Sequence, residues 1–262
     1  MNGYEIIICF FIYGFLGWCT EVAFAAVKEK RFVNRGFLNG PICPIYGVGV
    51  VMVVQLLIPY KSDLILLYTV SVIVVTALEW LTGFALDKIF HNKWWDYSNM
   101  PFNLNGYVCL LFSLIWGVAC VAIVKWIHPF IYKGVGFLPA WFVISLDVVF
   151  GIAILADLFA TVSKILKVNK HLERMEEIAT ELHRISDELG QNISKGVLEV
   201  SERRDDISEE MAEKIAELKQ RYKELAVHNA KSMKRLMKAF PRMTPRKHKE
   251  IVEELKNYLK KK

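Results

Sequence analysis

The sequence predicts an all-α, polytopic membrane bundle of about five transmembrane helices followed by a cytoplasmic helical tail. Three observations carry this. Hydrophobic residues make up 54% of the 262 and charged residues only 23%, too apolar for a soluble chain of this length. Charge is placed unevenly: residues 1–160 hold 9 Lys and Arg against 9 Asp and Glu, whereas residues 161–262 hold 24 against 18. The apolar stretches are continuous, not alternating, which excludes barrel strands. The expected division is a transmembrane domain over 1–160 and a tail over 161–262. Disorder throughout, a disulfide scaffold and an ordinary cytosolic enzyme are all excluded by this pattern.

Five stretches reach or approach the roughly 20 apolar residues a spanning helix needs: 6–26, 46–60, 64–84, 107–127 and 139–159. The second is short unless the Pro-rich lead-in from Gly40 is counted. The first is not a signal peptide, although Ala23-Phe24-Ala25 resembles a cleavage site. Its basic residues (Lys28, Lys30, Arg31, Arg35) follow the apolar run instead of preceding it, the reverse of a signal peptide. Those residues, with Lys88 and Lys93 after span 3, mark the cytoplasmic side. The expected placement is the cell membrane, N-terminus outside and tail inside.

An internal repeat is expected. Trp18-Cys19-Thr20 near the end of span 1 is followed by Leu38-Asn39-Gly40-Pro41-Ile42-Cys43. Trp80-Leu81-Thr82 near the end of span 3 is followed by Leu104-Asn105-Gly106-Tyr107-Val108-Cys109. Spans 1–2 and 3–4 then form a duplicated parallel hairpin, a device of transporters that bind at the repeat interface. Coincidence in a biased composition is the competing explanation.

Ionisable residues inside a span usually face the bundle interior or a water cavity. Glu21 and Glu79 are each the sixteenth residue of their run and fall at similar depth, near the inner face. Asp147 lies well inside span 5 and Asp157 near its inner end. Partners come from two loops. Asn34-Arg35-Gly36-Phe37-Leu38-Asn39-Gly40-Pro41-Ile42-Cys43-Pro44-Ile45-Tyr46-Gly47 is apolar but too rich in Gly and Pro to be helical throughout. It is expected to be a re-entrant or packed loop, which membrane depth tolerates only inside protein or against a cavity. Trp94-Trp95-Asp96-Tyr97-Ser98-Asn99-Met100-Pro101-Phe102-Asn103-Leu104-Asn105-Gly106 suits the interface, with Asp and Asn side chains available to cap span 4. Two readings stand. Glu21, Arg35, Glu79 and Asp96, with Asp147 deeper, line a solute or proton path. Alternatively, Arg35 pairs with a glutamate to hold the loop and the remaining charges stay near the lipid boundary.

Several of these segments together resemble the ABC-transporter type IV (CmpB-like) family. The resemblance rests on Gly14-Phe15-Leu16-Gly17-Trp18 with Glu21, and on Asn34-Arg35-Gly36-Phe37 with Gly40-Pro41 and Pro44-Ile45-Tyr46-Gly47. It continues through Glu79, Trp95-Asp96-Tyr97-Ser98 with Pro101-Phe102-Asn103, and Trp116-Gly117, in order over residues 6–129. It implies an integral membrane protein and a permease component. The chain contains no GxxxxGK[ST] phosphate loop, so ATP hydrolysis by that route needs a separate subunit. The other driving forces are an ion gradient or the solute gradient.

Beyond Thr161, Val168, Leu172, Met175, Ile178, Leu182, Ile185, Leu189 and Ile193 recur at helical spacing. So do Ile207, Met211, Ile215, Leu218, Tyr222 and Leu225. Two helices that need an apolar partner follow, broken near Gly190 and Gly196. They pair as a hairpin, or between chains as a coiled coil that makes a homo-oligomer. Residues 231–262 hold 12 basic and 3 acidic residues, and Thr244-Pro245 has the form of a helix start. Such an end can rest on anionic lipid or stay solvated. Nucleic acid is the less favoured partner because the membrane is tethered next door.

No HExxH, GxSxG or Gly-rich phosphate motif occurs, so no catalytic residue or cofactor is assigned. The five cysteines have no metal-ligand spacing and read as small buried side chains; no metal is expected. The six histidines read as solvated. The function expected is a small-solute or ion permease, or a subunit of one. The alternative is a membrane scaffold whose tail recruits partners or drives oligomerisation.

Overall fold

The computed structural model describes residues 1–195, 204–241 and 243–260. Among these residues it is all-α, with seven helices: α1 (Gly3–Glu29), α2 (Pro44–Leu57), α3 (Leu64–Phe90), α4 (Leu110–Gly136), α5 (Ala140–Lys195), α6 (Arg204–Ala239) and α7 (Lys249–Lys260). α1, α3, α4 and the first part of α5 are long and apolar enough to cross a membrane; α2 is a shorter apolar helix extended by one 3-10 turn to Tyr60. With several such helices the chain reads as a multi-pass membrane protein. The outward face of α5 fits lipid: Trp141, Val148, Val149, Ile152, Leu155 and Phe159 are all exposed.

Local chemistry sets the helix ends. The Asn2 amide donates to Glu5 Oε2 at 2.7 Å, and Asp63 Oδ1 accepts from the Leu66 amide at 3.0 Å, each satisfying an orphan donor of a first turn. Pro44 opens α2, where its missing N–H costs nothing. α1 and α3 end on left-handed residues, Lys30 and His91, both with φ 55°. A π turn at Ile123–Ile127 carries α4 past Pro129, consistent with a proline that removes one backbone donor.

The segment between α1 and α2 turns back along α1. The Cys43 amide donates to the Gly14 carbonyl at 2.9 Å, and Gly14 lies 15 residues before Glu29, about 22 Å along the helix. α2 therefore starts beside the middle of α1. Two glycines permit the approach: a Cβ on Gly17 would lie 2.4 Å from the Tyr46 ring, and one on Gly47 would lie 2.5 Å from the Phe10 carbonyl. The core is a cluster in which Cys9 and Tyr13 of α1, Val50, Val53, Val54 and Leu57 of α2, Leu67 of α3 and Cys120 and Val124 of α4 meet. All five cysteines are free thiols, four of them buried.

The second loop is built differently. Two-residue strands β1 (Asn103–Leu104) and β2 (Val108–Cys109) pair antiparallel across a turn in which Asn105 and Gly106 both have positive φ. α1–α2 and α3–α4 are thus similar hairpins. In each, the first helix has 27 residues and ends on a left-handed residue, and the second is N-capped by a cysteine, Cys43 or Cys109. Cys109 gives α4 no side-chain cap. The Asp and Asn residues of the 94–106 loop, expected to cap that helix, fold the loop itself.

The apolar part of α5 runs on into the tail as one helix from Ala140 to Lys195. Thr161, Ile165, Val168, Leu172 and Met175 stay buried at helical spacing, so the helix keeps its phase while the composition around it changes. Gly190 lies within that helix, a cost of about 1 kcal/mol that the neighbouring turns absorb; Gly196 lies outside the described residues, as do the side chains of Leu189, Ile193 and Ile207. Thr244–Pro245 is a short extended piece and not a helix start; α7 begins at Lys249, after His248 turns the chain with φ 55°.

The chain divides into two compact units, Met1–Ser163 with Arg235–Thr244, and Lys164–Lys234 with Pro245–Lys262. In the second unit the helices pair antiparallel. His171 bonds Asn229 at 3.0 Å and Lys214 bonds Glu181 at 3.0 Å. The apolar face of α7 is also used there, with Ile251, Val252 and Leu255 buried.

Candidate functional site

The expected intramembrane polar cluster separates into parts. Glu21 is its best-connected member. Tyr46 Oη donates to Glu21 Oε1 at 2.6 Å, a short charge-assisted bond. Arg35 Nε reaches Glu21 Oε2 at 3.5 Å, with both side chains about a quarter exposed. That pair is long and partly wet, so it contributes less than the phenol bond. The loop thus delivers both partners of Glu21: Arg35 from its middle and Tyr46 from the start of α2. Asn34 shapes the loop, accepting from Trp18 Nε1 at 2.7 Å and from the Gly36 amide at 3.0 Å while donating to the Asn39 carbonyl at 2.8 Å.

Glu79 stands on α3 beside Tyr97, whose hydroxyl approaches Glu79 Oε1 at 3.5 Å. Burial first, then Glu79, Cys109 and Glu21, hold the Tyr97 phenol well above its usual range. Tyr46 beside Glu21 and Tyr97 beside Glu79 rest on rings one turn apart on α4, Trp116 and Phe112. Trp116 packs edge-on to Tyr46 at 5.5 Å, and Phe112 stacks on Tyr97 at 5.1 Å.

Asp96 is engaged elsewhere. It accepts from the Ser98 amide at 2.9 Å and from the Ser98 hydroxyl, with Lys93 Nζ at 3.7 Å. It thereby frames Gly106, where any Cβ would lie 2.5 Å from its carboxylate. Burial raises its carboxyl, but the Ser98 bonds and Lys93 prevail and leave it below the ordinary carboxylate range. Asn103 joins this loop by accepting from the Gly106 amide at 3.1 Å, and Trp95 Nε1 donates to the Tyr107 carbonyl at 2.8 Å. Asp147 lies apart as well, its charge felt by Cys9 near the start of α1. Glu21 is 12 residues further along α1, about 18 Å away.

Asp157 closes the first loop. Its carboxylate accepts from the amides of Asn39 at 3.1 Å and Gly40 at 2.7 Å, and from Asn39 Nδ2 at 2.7 Å. Pro41 follows that clamp.

Three residues escape sequence reasoning. Arg235 donates to the carbonyls of Gly36, Phe37 and Leu38 at 2.9–3.0 Å. Nearby, Phe240 and Phe37 each pack edge-on to Trp94 at 5.1 Å. A lone arginine within a basic run gives no signal of such a role. Asp87, buried in α3, accepts from the Tyr107 hydroxyl; its place in an apolar helix beside Lys88 was the available cue. His128 is not solvated as expected. It is 3% exposed and bonds the Tyr13 hydroxyl at 2.8 Å.

Neither the curated proteins nor the solved structures give a significant match to this chain. One family profile does, described as "Putative ABC-transporter type IV", over residues 8–162. That match covers more than half of the chain and takes in α1 to α4, both loops and the apolar part of α5. It contains every site residue named above except Arg235 and Phe240. The chain belongs to the ABC-transporter type IV family, as a helical membrane component.

Proposed function

We propose that the chain is a permease, or the membrane subunit of one, that takes a small cation between Glu21 and Glu79. The observation that carries this is the placement of Tyr46, bonded to Glu21, and Tyr97, beside Glu79, on Trp116 and Phe112, one turn apart on α4. Two carboxylates against one guanidinium leave the neighbourhood with an excess of negative charge, which favours a cation and rejects an anion. Tyr46, already donating to Glu21, fixes that carboxylate so that its other oxygen faces Arg35 or a guest. The similar hairpins α1–α2 and α3–α4 support a duplicated unit with the site where the copies meet, and α2 serves as a fifth crossing that begins inside the bilayer. In this reading the two loops and the tail face the cytoplasm. No phosphate loop occurs in the chain, so energy comes from a separate ATPase chain or from a gradient.

Titration of the purified full-length protein with potassium, sodium, ammonium and putrescine, followed by Trp116 fluorescence, tests the reading. Saturable binding of at least one cation, lost in Glu21→Gln and in Glu79→Gln, supports it. Absence of saturable binding for the whole set rejects it.

A second reading has its own observation: Lys164–Lys234 with Pro245–Lys262 is a compact unit with a buried core at Leu172, Met175 and Leu255. In this reading the membrane part anchors a helical module that recruits partners or joins copies. The basic end then meets anionic lipid by charge alone, since the apolar face of α7 is already buried. Polar substitution of that core at Leu172 and Leu255 distinguishes the two, because a permease keeps cation binding and a scaffold loses its partners.

A further inference from the structure

We infer a second intramembrane site, a proton-binding site at Asp147 in the half of the bundle away from Glu21 and Glu79. Asp147 is 8% exposed, and among the described residues neither carboxylate oxygen has a hydrogen-bond partner. A lone carboxylate at such a place is costly, and either a proton or a counter-cation relieves the cost. Among the described residues no lysine, arginine or histidine forms an ion pair with it.

Its surroundings indicate which of the two binds. Asp147 is the eighth residue of α5, Cys9 the seventh and Tyr13 the eleventh of α1, and His128 lies eight residues before the end of α4. These helix ends belong to one face, so the four groups share a layer about 10–15 Å along their helices. Ile8 of α1, Val135 of α4 and Val143 and Leu146 of α5 pack together at this level, and Phe11 of α1 meets Phe150 of α5 at 5.4 Å. Tyr13 and His128 form a phenol–imidazole bond of 2.8 Å. A sodium or divalent ion wants about six oxygen ligands. The layer offers one carboxylate among a thiol, a phenol and an imidazole, groups that exchange protons. Polar contacts continue toward the helix ends: the His128 ring stacks on Tyr132 at 5.6 Å, and the Tyr132 hydroxyl donates to the half-buried Glu5 at 3.1 Å. The proton comes from the water at Glu5 and returns there, and no bond other than O–H is made or broken.

Labelling of the full-length protein in membranes with dicyclohexylcarbodiimide, which attacks protonated carboxyls in apolar surroundings, tests the site by peptide mass spectrometry. The expected result is an adduct at Asp147 whose yield falls about tenfold per pH unit above its midpoint. The midpoint is unchanged in Glu21→Gln with Glu79→Gln. The protonated-carboxyl infrared band should titrate at the same midpoint and vanish in Asp147→Asn. No adduct at Asp147, an adduct independent of pH from about 5 to 9, or a band unchanged in Asp147→Asn would each overturn the site. Its failure leaves cation binding at Glu21 and Glu79 untouched, because the two sites are read by different labels on different helices.

Discussion

Tyr46 donates to Glu21 at 2.6 Å while its ring lies against Gly17, one helical turn before that glutamate. One residue therefore joins loop, helix contact and charge. Tyr46→Phe keeps the ring and removes the bond. A hydrogen bond to a charged group is worth about 1.5–3 kcal/mol, so a clear loss of thermal stability in detergent is expected. Arg35→Gln should cost less, about 0–1 kcal/mol, since its pair is longer and partly exposed. Equal losses in the two variants would contradict this ranking.

Glycine spacing gives a second prediction. Gly17→Ala forces a methyl into the Tyr46 ring, and overpacking of this kind costs about 1–3 kcal/mol. Gly151→Ala on α5 meets nothing within 4 Å and should lose no stability. Melting of the two variants side by side provides the check.

Arg235 ties three successive carbonyls of the first loop. Arg235→Ala should leave the membrane helices inserted but free that loop. The readout is faster hydrogen exchange at the Ile42 and Cys43 amides, which now bond to Gly40 and Gly14. Exchange unchanged at both would mean that the loop holds without the arginine.

The 94–106 loop should be sensitive to acid. The folded Asp96 carboxyl is held below its ordinary value of 3.8. Its stabilisation is therefore fully present above that value and is lost as pH falls through the lower, folded one. Melting temperature measured downward from about pH 5 should fall less in Asp96→Asn than in the wild type.

Much of the membrane part was legible in the sequence because a bilayer demands long apolar runs, and Gly- and Pro-rich stretches cannot continue them. Glu21 and Glu79 stand at equal positions in two apolar runs. What stayed hidden depends on contacts between distant segments. Asp96 looked like a partner for a glutamate, yet a serine two residues away and a lysine three residues away satisfy it first. His128 looked solvated because its partner, Tyr13, is on another helix. Arg235 sits in a charged run whose pattern is that of any exposed helix, and only the fold brings it to three carbonyls. The unbroken α5 was missed because composition changes near residue 160 while helical phase does not.

The central claim is that Glu21 and Glu79 serve one site, and a double-mutant cycle on cation affinity tests it most directly. Each of Glu21→Gln and Glu79→Gln should weaken binding at least about tenfold. The double variant should be far less impaired than the product of the two, with a coupling of about 0.5–3 kcal/mol. Strictly additive effects, or full affinity in either single variant, would contradict a shared site.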